Sequence, residues 1–240
     1  MASNRPEAQT QRVRRKSIFR DYLESLIVAL ILALIIKTSL VEAYKIPSGS
    51  MEDTLLVGDF LLANKFIYGS KVPLIDVRLP AIREPKAGDI IIFKFPGNLK
   101  QNYIKRLIAT EGQVVEIRNK QVFVDGKLLE NPSHVKHTDF TNSPIGSPNR
   151  DNFGPYRVPK GFLFVMGDNR DNSYDSRFWG PLDRKLVLGK AMILHWSWKK
   201  DEQAPDVSFR NPLSFPHSIG YNIWHFPDRV RWNRIGSLIK

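Results

Sequence analysis

Residues 89–109 read DIIIFKFPGNLKQNYIKRLIA. Asp89–Phe95 is dominated by β-branched and aromatic residues, the pattern of a strand buried for much of its length. Tyr103–Ala109 is a second β-prone run, and it carries two adjacent cations. Strand alternation puts Tyr103, Lys105 and Leu107 on one face and Ile104, Arg106 and Ile108 on the other. One of the two cations must therefore point inward or find a partner. Lys105 has two readings: a sheet-edge lysine that discourages aggregation, or a buried amine with a depressed pKa, able to act as a general base.

Similar runs recur along the chain with turn signals between them: Phe60–Tyr68, Gln113–Ile117, Gln121–Val124, Lys127–Leu129, Gly161–Met166 and Gly189–Trp196. Asp125-Gly126, between VFV and KLL, predicts a type I′ hairpin, because that turn needs positive φ at both central residues. No long amphipathic helix is expected after residue 44. The fold class is mainly β, as a barrel or packed sheets. Asn131–Pro159 is rich in Asn, Ser, Pro and Gly and reads as a surface insertion without a strand, at about 130–160. Residues 201–220 read as a further irregular stretch.

The chain has 240 residues, enough for one large domain or two small ones. An apolar content of 42% and a charged content of 25% exclude wholesale disorder. The absence of Cys excludes a disulfide scaffold, a Cys-ligated zinc site and a thiol nucleophile. His134 and His137 lie close together but have no metal-site motif around them, so no metal is expected. Of the net charge of +12, residues 1–20 carry +5, six basic groups against Glu7, and the other 220 residues carry +7, spread widely. No interleaved basic and aromatic stripe suggests a nucleic acid partner.

Leu26–Ile36 is an unbroken apolar run of eleven residues, LIVALILALII. As a helix it covers about 16 Å, short of the ~20 residues a bilayer needs. Extension across 22–43 supplies the length, with Lys37 snorkelling along its aliphatic stem. The basic flank keeps the N-terminus cytoplasmic. The expected organisation is a basic arm at 1–21, a transmembrane helix at 22–43 and an extracytoplasmic β domain at 44–240. A cleavable signal peptide is the competing reading, with Val41-Glu42-Ala43 as its small-x-small site.

Three short segments carry chemistry. In Ile46–Leu55, IPSGSMEDTL, Ser48 and Ser50 flank a glycine, and in an extended strand they would point the same way. One hydroxyl can then attack while its neighbour donates to an oxyanion; an ordinary Ser/Gly turn is the plain alternative. The second segment is Tyr103–Arg106, YIKR. The third is Gly167–Gly180, GDNRDNSYDSRFWG, which lacks the glycine and glutamate of a calcium loop. A Ser hydroxyl needs a base, and no His lies in a motif-like setting. At a reference pKa of ~10.4, about one lysine in 2,500 is neutral at pH 7, so a Lys base requires burial.

These segments, in this order and after an apolar N-terminal stretch, resemble the bacterial type I signal peptidases (leader peptidases), a Ser/Lys-dyad serine protease family. REPKAGDIIIFKFP at 83–96 resembles a further characteristic box of it. The resemblance covers roughly Leu26 to Trp196. It implies signal-peptidase/LexA-like β sheets with one transmembrane helix in the cytoplasmic membrane. The implied function is removal of signal peptides from preproteins at small-x-small sites. It implies Ser50 as nucleophile, Lys105 as general base, Ser48 and the Ser50 N–H as oxyanion donors, and Ser173 as the group orienting Lys105. Asp168, Asp175, Arg177 and Arg106 match structural groups beside the site. Tyr44, Ile46, Pro47, Met51, Leu55, Tyr103 and Ile104 match the substrate pockets. Preprotein signal peptides and the lipid bilayer are the implied partners, with no cofactor; no oligomeric state follows. Asp53 stands where the family usually has Pro, and Ala109, Glu111 and Gln113 depart from its pattern after the base strand. A self-cleaving LexA-like regulator and a non-enzymatic membrane-tethered β scaffold are the rivals. The first should carry a DNA-binding module, and residues 1–25 are too short for one.

Overall fold

The computed structural model describes residues 18–39, 41–69, 80–139, 141, 150–205, 207, 211 and 214–240. Most of the basic arm (1–17) and the centre of the insertion (140 and 142–149) lie outside the described residues.

The first elements are a helix, α1 (Ile18–Ser39), and strands β1 (Val41–Lys45), β2 (Asp59–Asn64), β3 (Ile90–Phe95) and β4 (Asn98–Ala109). Then come β5 (Val114–Arg118), β6 (Gln121–Val124), β7 (Lys127–Leu128), β8 (Phe153–Arg157) and β9 (Phe162–Met166). A short helix α2 (Ser176–Trp179), β10 (Leu182–Asp183), β11 (Val187–Ser197) and helices α3 (Ser214–Trp224) and α4 (Phe226–Arg229) complete the order. The strands form two antiparallel sheets, one of seven strands in the order β1-β2-β11-β3-β4-β9-β10 and one of four in the order β7-β6-β5-β8.

β3 fixes the middle of the large sheet. Ile90 and Ile92 pack into a core with Leu61, Ala63, Ala191 and Leu194 on one face. Ile91 and Phe93 pack into a second core with Leu107, Leu163 and Val165 on the other. Both faces are covered, which is why the run reads as continuously apolar. A third core joins the two sheets: Ile108, Ala109, Phe164 and Met166 from the large one meet Val115, Ile117 and Val122 from the small one. Asp125 and Gly126 both have positive φ, 52° and 76°, and close β6 onto β7 as the turn chemistry requires.

The structure corrects several expectations. The segment 131–159 does contain a strand. β8 is the edge of the small sheet, and its register against β5 shifts around Gly154-Pro155. An edge bulge is where a strand tolerates proline. Phe153 and Tyr156, 5.3 and 6.2 Å from the Phe164 ring, supply the burial that holds it. The strand at 60–68 stops at Asn64, whose side chain accepts from the Ile67 N–H at 3.0 Å and starts a turn. The stretch 201–220 enters α3, which is tied down by Tyr221 Oη donating to Asp201 at 2.9 Å. Pro216 lies in its first turn, where a missing N–H costs nothing.

α1 begins before Tyr22 and ends at Ser39, and Val41-Glu42-Ala43 is not helical but paired along β2. Among the described residues no helix is long and apolar enough to cross a membrane; the side chains at 18, 31, 32 and 34–39 of α1 lie outside them.

The end of the chain wraps the sheet. Ile239 enters the core of Met51 and Leu55, and its N–H donates to Met192 O at 2.8 Å. Asp59, fully buried, gathers the ends: it accepts from Ser197 Oγ at 2.6 Å, Arg234 at 2.7 Å and the Leu56 N–H at 2.8 Å. Asp59→Ala is expected to cost about 2–3 kcal/mol in urea unfolding, because a buried charged hub is lost and two arginines lose their partner. Ser197→Ala should cost about 1 kcal/mol; equal effects of the two would contradict the hub role.

Candidate active site

β1 leads into the serine segment. The Ile46 N–H donates to Asp59 O at 2.8 Å and the Gly58 N–H to Ile46 O at 3.1 Å, so the segment stays registered on β2. Ser48 is extended, but Gly49–Met51 then coils into one 3-10 turn. Ser48 and Ser50 are thus not neighbours on one continuous strand face, as the spacing suggested. They nevertheless line one cavity of about 830 Å³. Met51 and Leu55 are buried beneath the turn and anchor it. Leu55 is therefore core rather than cavity wall, whereas Tyr44, Ile46, Pro47, Met51, Tyr103 and Ile104 do line the cavity.

β4 delivers the two cations, and both are buried, each 4% exposed. Lys105 Nζ lies 2.5 Å from Ser50 Oγ, within hydrogen-bond distance across fifty-five residues of chain. Burial pushes the Lys105 amine down to about 8; the Arg177 charge assists, and the Asp175 and Asp168 charges oppose it. Arg106 faces the other way and donates to both carboxylate oxygens of Asp168, at 2.7 and 2.8 Å, and to Gly88 O.

The loop after β9 closes the site. Asp175 accepts from Arg177 at 2.8 and 2.9 Å and from the Gly167 N–H at 3.0 Å, all buried. Arg177 also donates to Arg150 O and Arg170 O. Asp168 accepts from Thr54 Oγ1 at 2.6 Å. Asn169 clamps the serine turn: its N–H donates to Ser50 O at 3.1 Å and its side-chain amide to Gly49 O at 3.2 Å. Gly167 permits this approach, since a Cβ there would sit 2.3 Å from Ser173 Oγ and 2.4 Å from Ser50 O. Ser173 lines the same cavity as Lys105, but its buried Oγ makes no hydrogen bond among the described residues, so the expected Ser173–Lys105 bond is not formed.

Thr54, Asn169, Gly167 and Lys136 escaped the sequence reading. The first three lie inside the quoted motifs, but only the fold reveals that one motif clamps another. Lys136 belongs to the insertion: its N–H donates to Asp168 O and its carbonyl accepts from the Arg170 N–H, both at 3.0 Å. Its ammonium also lies 3.2 Å from Asp53. Asp53 has φ 75°, which proline cannot adopt. After β4, Gln113 Oε1 accepts from the Thr110 N–H at 2.9 Å and Glu111 from the Gly161 N–H at 2.6 Å, closing that turn with side chains. His137 sits 3.3 Å from Asp171 and His134 3.3 Å from Ser133, and no group of three acidic or His side chains among the described residues is placed to hold a metal.

Residues 19–196 match the family model described as signal peptidase, peptidase S26. The signal peptidase I of Pseudomonas aeruginosa is 33% identical over 241 residues, covering 88% of this chain and 83% of that protein. The signal peptidase I of Aquifex aeolicus is 34% identical over 268 residues, covering 91% and 98%. A crystal structure of a signal peptidase I from Enterococcus faecalis V583 is 31% identical with a TM-score of 0.37, covering 45% of this chain and 97% of the other. By the family-model match and the two relatives' identities, the chain belongs to the signal peptidase family, peptidase S26.

Proposed function

We propose that this chain is a membrane-anchored serine endopeptidase that removes signal peptides from secreted preproteins at small-x-small sites, with Ser50 as nucleophile and Lys105 as general base. The observation that carries this is the 2.5 Å contact between Ser50 Oγ and a buried amine shifted down to about 8. The relatives' names support the substrate class.

Neutral Lys105 takes the Ser50 proton as Oγ attacks the scissile carbonyl carbon. The Ser50 N–H and the Ser48 hydroxyl donate to the oxyanion that forms, each such donor contributing about 3–4 kcal/mol. The tetrahedral intermediate collapses, and the Lys105 ammonium gives its proton to the leaving amine, the new N-terminus of the mature protein. A water then attacks the acyl-enzyme and passes a proton to Lys105. Breakdown of the second intermediate returns that proton to Ser50 and releases the signal peptide as a carboxylate.

The anchor rests on α1. Its large apolar side chains stand uncovered, Leu26 at 66% and Leu30 at 60% exposure, which suits lipid rather than water. The basic arm favours an N-terminus left in the cytoplasm. Confinement to one membrane raises the effective concentration of enzyme and substrate. Neither a self-cleaving regulator nor a scaffold accounts for the family match.

A purified preprotein should be cleaved by the wild-type chain and lose at least 10³-fold in kcat with Ser50→Ala or Lys105→Ala. Undiminished cleavage by either variant would reject the assignment. Gly167→Ala should lower kcat by at least about tenfold with little change in KM, because its methyl group would push Ser173 and the Ser50 carbonyl apart. A wild-type kcat in that variant would show that the close approach does not matter.

A further inference from the structure

One wall of the cavity is unexplained by small-residue selection. Tyr174, just before α2, and Phe178, within it, line this wall, 54% and 38% exposed, and the intervening residues Asp175, Ser176 and Arg177 are all buried. Both rings are held by their neighbours. Their rings stack with centroids 5.8 Å apart. Tyr174 meets Phe95 edge-on at 6.1 Å, and Phe95 stacks on Tyr103 at 4.4 Å, nearly parallel. The Arg177 guanidinium lies 5.5 Å from the Phe178 ring centroid while Asp175 fixes its other side. Tyr103 continues the series to the catalytic end, where Lys105 Nζ is 5.6 Å from its ring. Tyr103, Tyr174 and Phe178 thus line the cavity as a preorganised set, with Phe95 packed against both tyrosines.

A cavity of about 830 Å³ takes several residues of an extended peptide, far more than two methyl side chains. Successive residues of such a peptide project to opposite sides, so positions other than the two small ones meet other walls. We infer that Tyr174 and Phe178 form an aromatic subsite that binds one bulky apolar or aromatic side chain of the substrate peptide, outside the small-residue pockets. This rests on the endopeptidase reading above. Face or edge contact with a planar side chain favours it beyond simple burial, and the pre-stacked rings lose little freedom on binding.

The test uses the full chain in detergent and a set of fluorogenic peptides with Ala at both small positions. Each peptide carries Phe at one of the other positions from four before to two after the scissile bond, against an all-Ala parent. Wild type is expected to cleave one of the Phe peptides about three- to tenfold better in kcat/KM than the parent. In Tyr174→Ala/Phe178→Ala that ratio should fall to near one, whatever the absolute rate, while Tyr174→Phe keeps it. No Phe preference in wild type, or an unchanged ratio in the double variant, overturns the subsite. Flotation with phosphatidylethanolamine/phosphatidylglycerol vesicles covers the other use of such rings: a double variant that loses vesicle binding but keeps the Phe ratio places them on lipid and overturns the subsite. Failure of wild type to cleave the parent peptide overturns the endopeptidase reading itself.

Discussion

Two arginines keep two carboxylates away from one lysine, and the site depends on that division. Asp175 and Asp168 both stand close enough to Lys105 to favour its charged form. Each is already taken in a bidentate pair, Asp175 by Arg177 and Asp168 by Arg106. Among the described residues Lys105 forms no ion pair, and its nearest polar partner is the Ser50 hydroxyl. Burial then wins over the residual attraction. The shift to about 8 corresponds to about 3 kcal/mol against the ammonium, and it raises the neutral fraction at pH 7 to about one in ten. A buried ion pair is often a poor source of stability, but here its partners neutralise each other where a stray negative charge would favour the Lys105 ammonium.

The same division explains why the site needs four distant stretches of chain. The serine turn rests on buried Met51 and Leu55, reinforced by Ile239 from the chain's far end. Asn169 holds the turn from one side, and Thr54 links it to Asp168. Arg234 joins Thr54 O to Asp59, so the tail braces the turn's exit. Lys136 stitches the insertion along the loop that carries Asp168 and Arg170. Supports of this kind keep a 2.5 Å contact in place, and a displacement of even ~1 Å is costly to such chemistry.

Much of this was legible from residue order. β3 declared itself because four consecutive apolar residues fill two cores, and the Asp125-Gly126 turn because its backbone demands positive φ. The adjacent Lys105 and Arg106 announced a buried cation, although both turned out to be buried. β8 was hidden because its Gly-Pro pair reads as loop, while Phe153 and Tyr156 gain their burial from a core that β4, β5, β6 and β9 build together. α3 was hidden by Pro216 and Gly220. The Ser48/Ser50 spacing suggested a strand, but the burial of Met51 coils the backbone there into a turn. Leu55 passed for a pocket residue because pattern alone does not separate a wall from the core behind it. The aromatic wall was invisible for another reason: ring stacking between β3, β4, the loop after β9 and α2 has no signature along the chain.

The most direct test of the account is the titration of the Lys105 amine itself in the full-length wild-type chain, by NMR of selectively ¹⁵N-labelled lysine side chains with Lys105→Met as the assignment control. Because burial disfavours the charged form, the amine should lose its proton as pH rises through about 8, well below the other lysines. A midpoint above 10, together with undiminished cleavage at pH 7, would contradict it.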